Sequence, residues 1–323
     1  MMARTKSAYW LTFLMLLLTL PISAAAQDNK DKDKKDKKAL TGTPVFWRAP
    51  EDIEQRNLLL GAGGEEMKPD ISRVTFIEQK TGGYSTKYRV RDAKGNEWIA
   101  KIGREAQSDT AANRLLWALG YETEIAYLVP KLKIEGKGEY ENVRLEARPK
   151  DVKRTGNWMW ENNPFMNTPE FKALKILMVM INNWDMKDDN NEILAPRNDT
   201  TGEAELRYII SDLGGSFGKT GGIISRSRNK PSDYEKADFI KSVKGDMIDF
   251  NYGGKNKKLF ENLSIADATW LSTWLKRLSD EQIKDAFRAA NYSPEEVDVL
   301  AKAFRERANA LANPAGAVAN KGN

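Results

Sequence analysis

The 323-residue chain contains no cysteine and no histidine. The absence of cysteine excludes disulfides, thiol nucleophiles and thiolate metal sites. The absence of histidine excludes imidazole bases, Ser-His-Asp triads and histidine zinc ligands. What remains is chemistry on carboxylates, lysines, hydroxyls and hard cations held by oxygen, such as magnesium, manganese or calcium. Neither sign of charge dominates: 51 Lys and Arg against 46 Asp and Glu leave a formal net charge of only +5. Without a concentrated basic stripe, that balance argues against a nucleic-acid partner.

Long apolar runs are equally scarce. The single one, Ala8 to Leu20, follows Arg4 and Lys6 and is broken by Pro21. Ser23-Ala24-Ala25-Ala26 then offers a small-residue cleavage site, so residues 1–26 read as a secretory signal peptide. The run is shorter than the roughly 20 residues of a spanning helix. An uncleaved N-terminal anchor is the rival reading. The expectation is an exported protein, periplasmic or secreted, with no stable transmembrane span after cleavage. Cleavage removes two cations and no acid, leaving +3. Export without disulfides requires a sizeable hydrophobic core, which roughly 250 ordered residues can supply.

The rest divides by composition. Residues 27–43 hold a Lys/Asp run, Asp28 to Lys38, with no apolar member, and read as a disordered charged linker. Residues 44–150 open with an apolar extension, Pro44 to Gly64, and continue as strands: Val74 to Ile77, Lys87 to Val90, Trp98 to Ile102, Ile125 to Ile134 and Val143 to Ala147. A helix containing Asp109, Leu115, Leu116 and Leu119 lies between the third and fourth of these and ends at Gly120. Residues 151–312 read as mainly helical. Thr168-Pro169-Glu170 starts a buried helix, and Ser264, Ser279 and Ser293 cap three more. Short strands are expected at Glu192-Ile193-Leu194 and Leu206 to Ile210. Residues 215–258 are expected to be loop-like and residues 313–323 a disordered tail. Trp158, Trp160, Trp184, Trp270 and Trp274 have apolar neighbours and read as packing residues.

Two short segments carry chemistry. Asn183 to Asn190 contains D-x-K-x-x-N, with Asp185, Lys187 and Asn190; Asn191 is a one-residue alternative to the last. Ser211-Asp212-Leu213-Gly214 places an Asp-Leu-Gly turn directly after the apolar strand Tyr208-Ile209-Ile210. Together they offer a general base, a phosphate-facing cation and two oxygen ligands for a divalent metal, the equipment of phosphoryl transfer. A calcium loop is disfavoured: the sixth position lacks glycine, and Lys187 stands where an oxygen ligand belongs.

In order, the chain presents a Gly-containing hairpin, a strand lysine, a helix acid, a buried helix, D-x-K-x-x-N and D-x-G. Over roughly residues 70–310 this resembles the protein-kinase-like fold, in its atypical branches: the Golgi-type secreted kinases, the CotH kinases and the HipA type. The resemblance implies an α+β, bilobal molecule with an antiparallel N-lobe sheet, one N-lobe helix and a mainly helical C-lobe. It makes Asp185 the catalytic aspartate and Lys187 the cation beside the transferred phosphoryl group. Asn190 and Asp212 become the ligands of Mg²⁺ or Mn²⁺. Lys101, in Trp98-Ile99-Ala100-Lys101, would contact the ATP phosphates and pair with a helix acid, for which Asp109 and Glu105 both qualify. Gly82, Gly83 and Ser85 would cover phosphates in a loop that departs from G-x-G-x-x-G. The Asn190-to-Asp212 interval is longer than in typical protein kinases, and an expanded hairpin at Arg197 to Glu203 accounts for it. The implied activity transfers the ATP γ-phosphoryl group to a hydroxyl on a protein, lipid or glycan. A kinase-fold pseudokinase, or a ligand-binding or scaffolding protein of the cell envelope, is the alternative.

Overall fold

The structure is a computed structural model that describes residues 42–81, 85–197, 204–222 and 224–319. The signal peptide and nearly all of the charged linker lie outside the described residues, as do Gly82, Gly83 and most of the hairpin after Arg197. The linker's expected end is too late, because strand β1 already spans Thr43–Val45. Behind it Phe46, Ile53 and Leu58 are buried, which makes the extension part of the core.

Five strands follow the alternation read from the sequence: β2 (Thr75–Lys80), β3 (Thr86–Arg91), β4 (Glu97–Ile102), β5 (Ala126–Ile134) and β6 (Gly138–Ala147). They form one antiparallel sheet in the order β2-β3-β4-β6-β5. Helix α1 (Glu105–Ala118) connects β4 to β5 and buries most of its surface. Gly120 ends the turn after it, at φ +91°. A Cβ there would stand 2.1 Å from the Arg48 carbonyl, so only glycine admits the extension this close.

The second half begins with β7 (Val152–Asn157), a strand the sequence does not announce. Helix α2 (Pro169–Met180) starts as expected, with Thr168 Oγ1 accepting from the Phe171 N–H at 3.2 Å. From Phe171 onward α2 is almost entirely buried and forms the axis of the main core. Strands β8 (Asn191–Pro196) and β9 (Glu205–Ile210) join β7 and β1 in a second sheet, ordered β1-β9-β8-β7, with β1 parallel to β9.

Residues 215–258 are not simply loop. They contain α3 (Pro231–Lys236), β10 (Ile240–Lys244) and β11 (Met247–Phe250), the two strands turning at Gly245 and pairing onward to β12 (Leu263–Ser264). Strands of four or five residues, with Lys241 and Lys244 exposed on β10 and Asp249 on β11, carry too little apolar periodicity to stand out. Helices α4 (Ile265–Leu275), α5 (Asp280–Arg288) and α6 (Pro294–Ala312) each begin with a capping box, on Ser264, Ser279 and Ser293. The tail is a second correction. Pro314–Ala319 form α7, which packs on β10 with Pro314 buried. Among the described residues no helix is long and apolar enough to cross a membrane.

Candidate active site

The site begins with an electrostatic problem in the first sheet. Lys87, Lys101 and Arg144 stand opposite one another on β3, β4 and β6, a cross-strand row of three cations. Like charges so placed repel, so the row needs counterions. Asp109, from the first turns of α1, supplies one: Lys101 Nζ donates to its Oδ2 at 3.1 Å, and an Arg144 guanidinium nitrogen lies 3.7 Å from its Oδ1. Glu146 takes a second Arg144 bond at 2.7 Å. Asp212 supplies the third carboxylate, in direct hydrogen-bonded contact with Lys101. Burial pulls the Lys101 ammonium down in pKa, but Asp109 and Asp212 outweigh it and leave the group above its ordinary value. Burial pushes the Asp212 carboxyl up, and Lys101 outweighs that in turn, so Asp212 lies below the usual carboxylate range.

Asp212 has left-handed backbone, φ 52° and ψ 54°, which costs a non-glycine residue roughly 1–2 kcal/mol. The conformation is held from α1: the Leu213 N–H donates to Asp109 Oδ1 at 3.2 Å, and Ser108 Oγ to the Gly214 carbonyl at 2.9 Å. Gly214 is required for contact. A Cβ there would come 2.5 Å from that of Glu105. The strain therefore aims a carboxylate into the cleft, as expected at a functional turn.

Of the two acids proposed for Lys101, both reach it, and Asp109 bonds it directly. Glu105 lies at 3.5 Å and is also held by Ser85 Oγ at 2.9 Å and by Arg228. Ser85 thus anchors an acid of the cluster.

The D-x-K-x-x-N segment faces this cluster from the other half. The Asp185 N–H donates to Asn183 Oδ1 at 3.1 Å. Its carboxylate is gripped by Lys187 at 3.0 Å and by Lys255 at 2.6 Å. Burial lowers the Lys187 ammonium, the bond to Asp185 raises it, and the net direction is upward. Asn190 Nδ2 donates to the Asp185 carbonyl at 2.8 Å, which fixes the amide's orientation. Asn191 is excluded as its substitute, being buried in β8 and paired in register with Ile210.

Asp185, Lys187, Lys101, Glu105, Ser85 and Asp212 line one cavity of about 220 Å³. Asn190 and Asp212 share an adjoining cavity of about 120 Å³ with Lys101 and Asp109. The donor set there, an amide and a carboxylate around a small polar space, fits Mg²⁺ or Mn²⁺ shared with phosphate oxygens and water. No all-protein cage of three or more acids exists among the described residues.

Four cations of this cavity escaped the sequence reading: Lys87 on β3, and Lys255, Arg226 and Arg228 from the segment taken as loop. Arg226 and Arg228 stack on the Trp184 ring at 4.1 and 4.5 Å. Trp184 is buried as expected, yet its ring forms a wall of the cavity. For Lys255, Arg226 and Arg228 the only signal was the density of Lys and Arg after the D-x-G turn. Among the described residues, six cations and three acids surround the 220 Å³ cavity, an excess suited to phosphate.

A five-stranded antiparallel sheet with one helix, a strand lysine bonded to the acid of that helix, and a mainly helical half bearing D-x-K-x-x-N and D-x-G make this a protein-kinase-like architecture. Solved kinases show a similar chain path. The proinflammatory kinase CtkA of Helicobacter pylori is 12% identical, with a TM-score of 0.47 over 74% of this chain and 96% of that one. A Golgi casein kinase is 9% identical, with a TM-score of 0.40 over 82% and 77%. The Rio2 kinase of Chaetomium thermophilum, solved as an ADP/Mg²⁺-phosphoaspartate complex, is 11% identical, with a TM-score of 0.32 over 74% and 72%. No protein-family model matches the sequence, and no curated protein does.

Proposed function

We propose that this chain is an exported phosphotransferase that moves the γ-phosphoryl group of ATP to a hydroxyl acceptor. The observation that carries the reading is the convergence of Lys101, Asp109 and Asp212 with Asp185 and Lys187 around one cleft. Lys101 offsets charge on the donor phosphates while Asp109 keeps it extended. Asp185 orients the acceptor hydroxyl and takes its proton. Lys187 and Lys255, on either side of that carboxylate, offset the charge that develops on the transferred group. Asn190 and Asp212 would hold a divalent ion, which when bound would supply positive charge to the donor phosphates. Export rests on the sequence of residues 1–26 alone.

A non-catalytic nucleotide-binding protein is the second reading, favoured by one feature: Asp185 is engaged by two lysines at once. The two separate by experiment. The mature protein should bind ATP with Mg²⁺ or Mn²⁺ and transfer phosphate to a hydroxyl acceptor. Asp212→Ala should lose metal-dependent binding, whereas Asp185→Ala should keep binding and lose transfer by about 10²-fold or more. Absence of binding by the wild type at millimolar ATP and metal sinks the kinase reading. Wild-type transfer by Asp185→Ala removes that residue from the mechanism.

A further inference from the structure

A cavity of about 780 Å³ lies behind the Lys101–Asp212 cluster, between the first sheet and the β7–β8–β9 sheet. It shares Lys87, Ile99 and Arg148 with the metal-side cavity, so the cleft is continuous from one end to the other. Among the described residues, nine Lys and Arg line this chamber against two Glu.

Several of those cations are already neutralised. Arg89 is held by Glu97 and Glu78, Arg154 by Glu124, Arg207 by Glu122, and Arg148 by Glu146. Lys150, Lys153 and Arg197 form no ion pair with a carboxylate among the described residues, and Lys87 feels Asp212 only at longer range. The roof of the chamber repeats the imbalance: Lys87 and Arg89 alternate with Tyr88 and Val90 on β3, so the cleft face of the strand is basic.

The backbone joining the two halves points the same way. The edge of a purine needs free peptide groups there, and most are engaged. The Ala147, Arg148 and Val152 N–H groups donate to Ile125, Glu97 and Pro149 carbonyls at 2.9, 2.8 and 3.4 Å. Pro149 has no N–H. Arg197 Nε, a second guanidinium nitrogen and the Arg197 N–H take the Lys150, Val152 and Asp151 carbonyls.

We propose that this end of the cleft is a phosphate subsite, so that the ligand spanning from it to Lys101 is anionic at both ends. A linear polyphosphate has that chemistry, and so does a nucleotide carrying a further phosphate on its nucleoside. The inference rests on the phosphotransferase reading only in taking such a ligand as a donor the cleft prefers to ATP. Lys150 and Lys153 form the selective contact, and ATP fills the cleft with its far end unmatched.

Calorimetric titration of the full chain with Mg²⁺ tests it, using ATP, ATP bearing a 3′-phosphate, and long-chain inorganic polyphosphate. Salt is set at about 0.15 M, where charges more than about 8 Å apart are screened. One or both polyanions should bind at least about tenfold more tightly than ATP, equivalent to about 1.4 kcal/mol; the one that does identifies the source. Lys150→Ala/Lys153→Ala, at an unchanged melting temperature, should abolish that preference and move ATP affinity by less than about threefold on the same scale. Equal wild-type affinities, a preference that survives the double substitution, or equal weakening of all three ligands overturns the subsite. If no donor supports transfer but the preference persists, the phosphotransferase reading fails and the subsite stands.

Discussion

Lys101 is 4% exposed, and such a buried ammonium persists only because carboxylates meet it on several sides. Its bond to Asp212 has a definite pH signature. Asp212 titrates below its ordinary 3.8 in the folded protein, so its contribution is complete above that value and lost as pH falls through the folded pKa. Lys101 is raised above 10.5, so its contribution is complete below that value and lost only as pH climbs through the folded pKa. Urea midpoints of wild type and Asp212→Asn should therefore differ by a constant amount across neutral pH. Below about pH 3.8 the gap should close, as the wild-type carboxyl is protonated. A gap that persists into acid would mean that the Lys101–Asp212 contact does not stabilise the fold. These residues were legible in the sequence because each sits in a short segment whose neighbours share its task. Lys255, Arg226 and Arg228 were not. Nothing local marks a lysine that reaches Asp185 from 70 residues away in the chain.

Helix α2 delivers the D-x-K-x-x-N segment, and its end shows what an element needs from distant sequence. The last carbonyls of a helix lack intrahelical donors. Here Arg307, buried in α6, donates to the Met180 carbonyl at 2.8 Å and to Asn182 Oδ1 at 2.9 Å. Its other terminal nitrogen bonds the Tyr234 and Ala237 carbonyls at the end of α3 at 2.8 and 2.9 Å. One guanidinium thus ties two helix ends to α6 just before Asp185, its charge opposed by helix C-terminal dipoles. Arg307→Met removes these donors: the Met180 carbonyl keeps the Tyr234 hydroxyl, but Asn182 Oδ1 and the Ala237 carbonyl lose this partner. Urea denaturation should register a loss of about 1–3 kcal/mol or more. A change below about 0.5 kcal/mol would class the residue with ordinary surface positions. The starts of α2, α4, α5 and α6 were readable because N-cap chemistry is encoded within four residues. Arg307 was not, because between Glu306 and Ala308 it reads as one charge on a solvated helix face. Strands β7, β10 and β11 stayed hidden for a related reason: their pairing partners, more than their own composition, make them strands.

The extension before the first sheet touches both halves of the molecule, which gives it more consequence than a surface appendage. Strand β1 adds to β9 of the second sheet. Trp47 donates its indole N–H to the Leu119 carbonyl at the end of α1 at 2.8 Å, while its ring packs on Trp270 and Trp274 of α4 at 5.4 and 5.6 Å. Arg48 binds Glu122 beyond α1 and Glu205 of β9. Phe46 is the buried member, 4% exposed, with its ring 4.2 Å from that of Phe165 and 6.1 Å from that of Phe171 in α2. The segment therefore joins α1, which sets Asp109 against Lys101, to α2, which sets Asp185, and it limits how far the two can part. Phe46→Ala removes an aromatic side chain from the main core, and a cavity of that kind costs about 3–5 kcal/mol. Because the site straddles the same two helices, the substitution should also weaken metal-dependent nucleotide binding, although Phe46 lies outside every site cavity. Phe165→Leu, which reduces the same aromatic contact from the far side, should lower stability less and leave binding near wild type. Unchanged nucleotide affinity in a folded but destabilised Phe46→Ala protein would show that the extension supports the core alone and that the cleft is set without it.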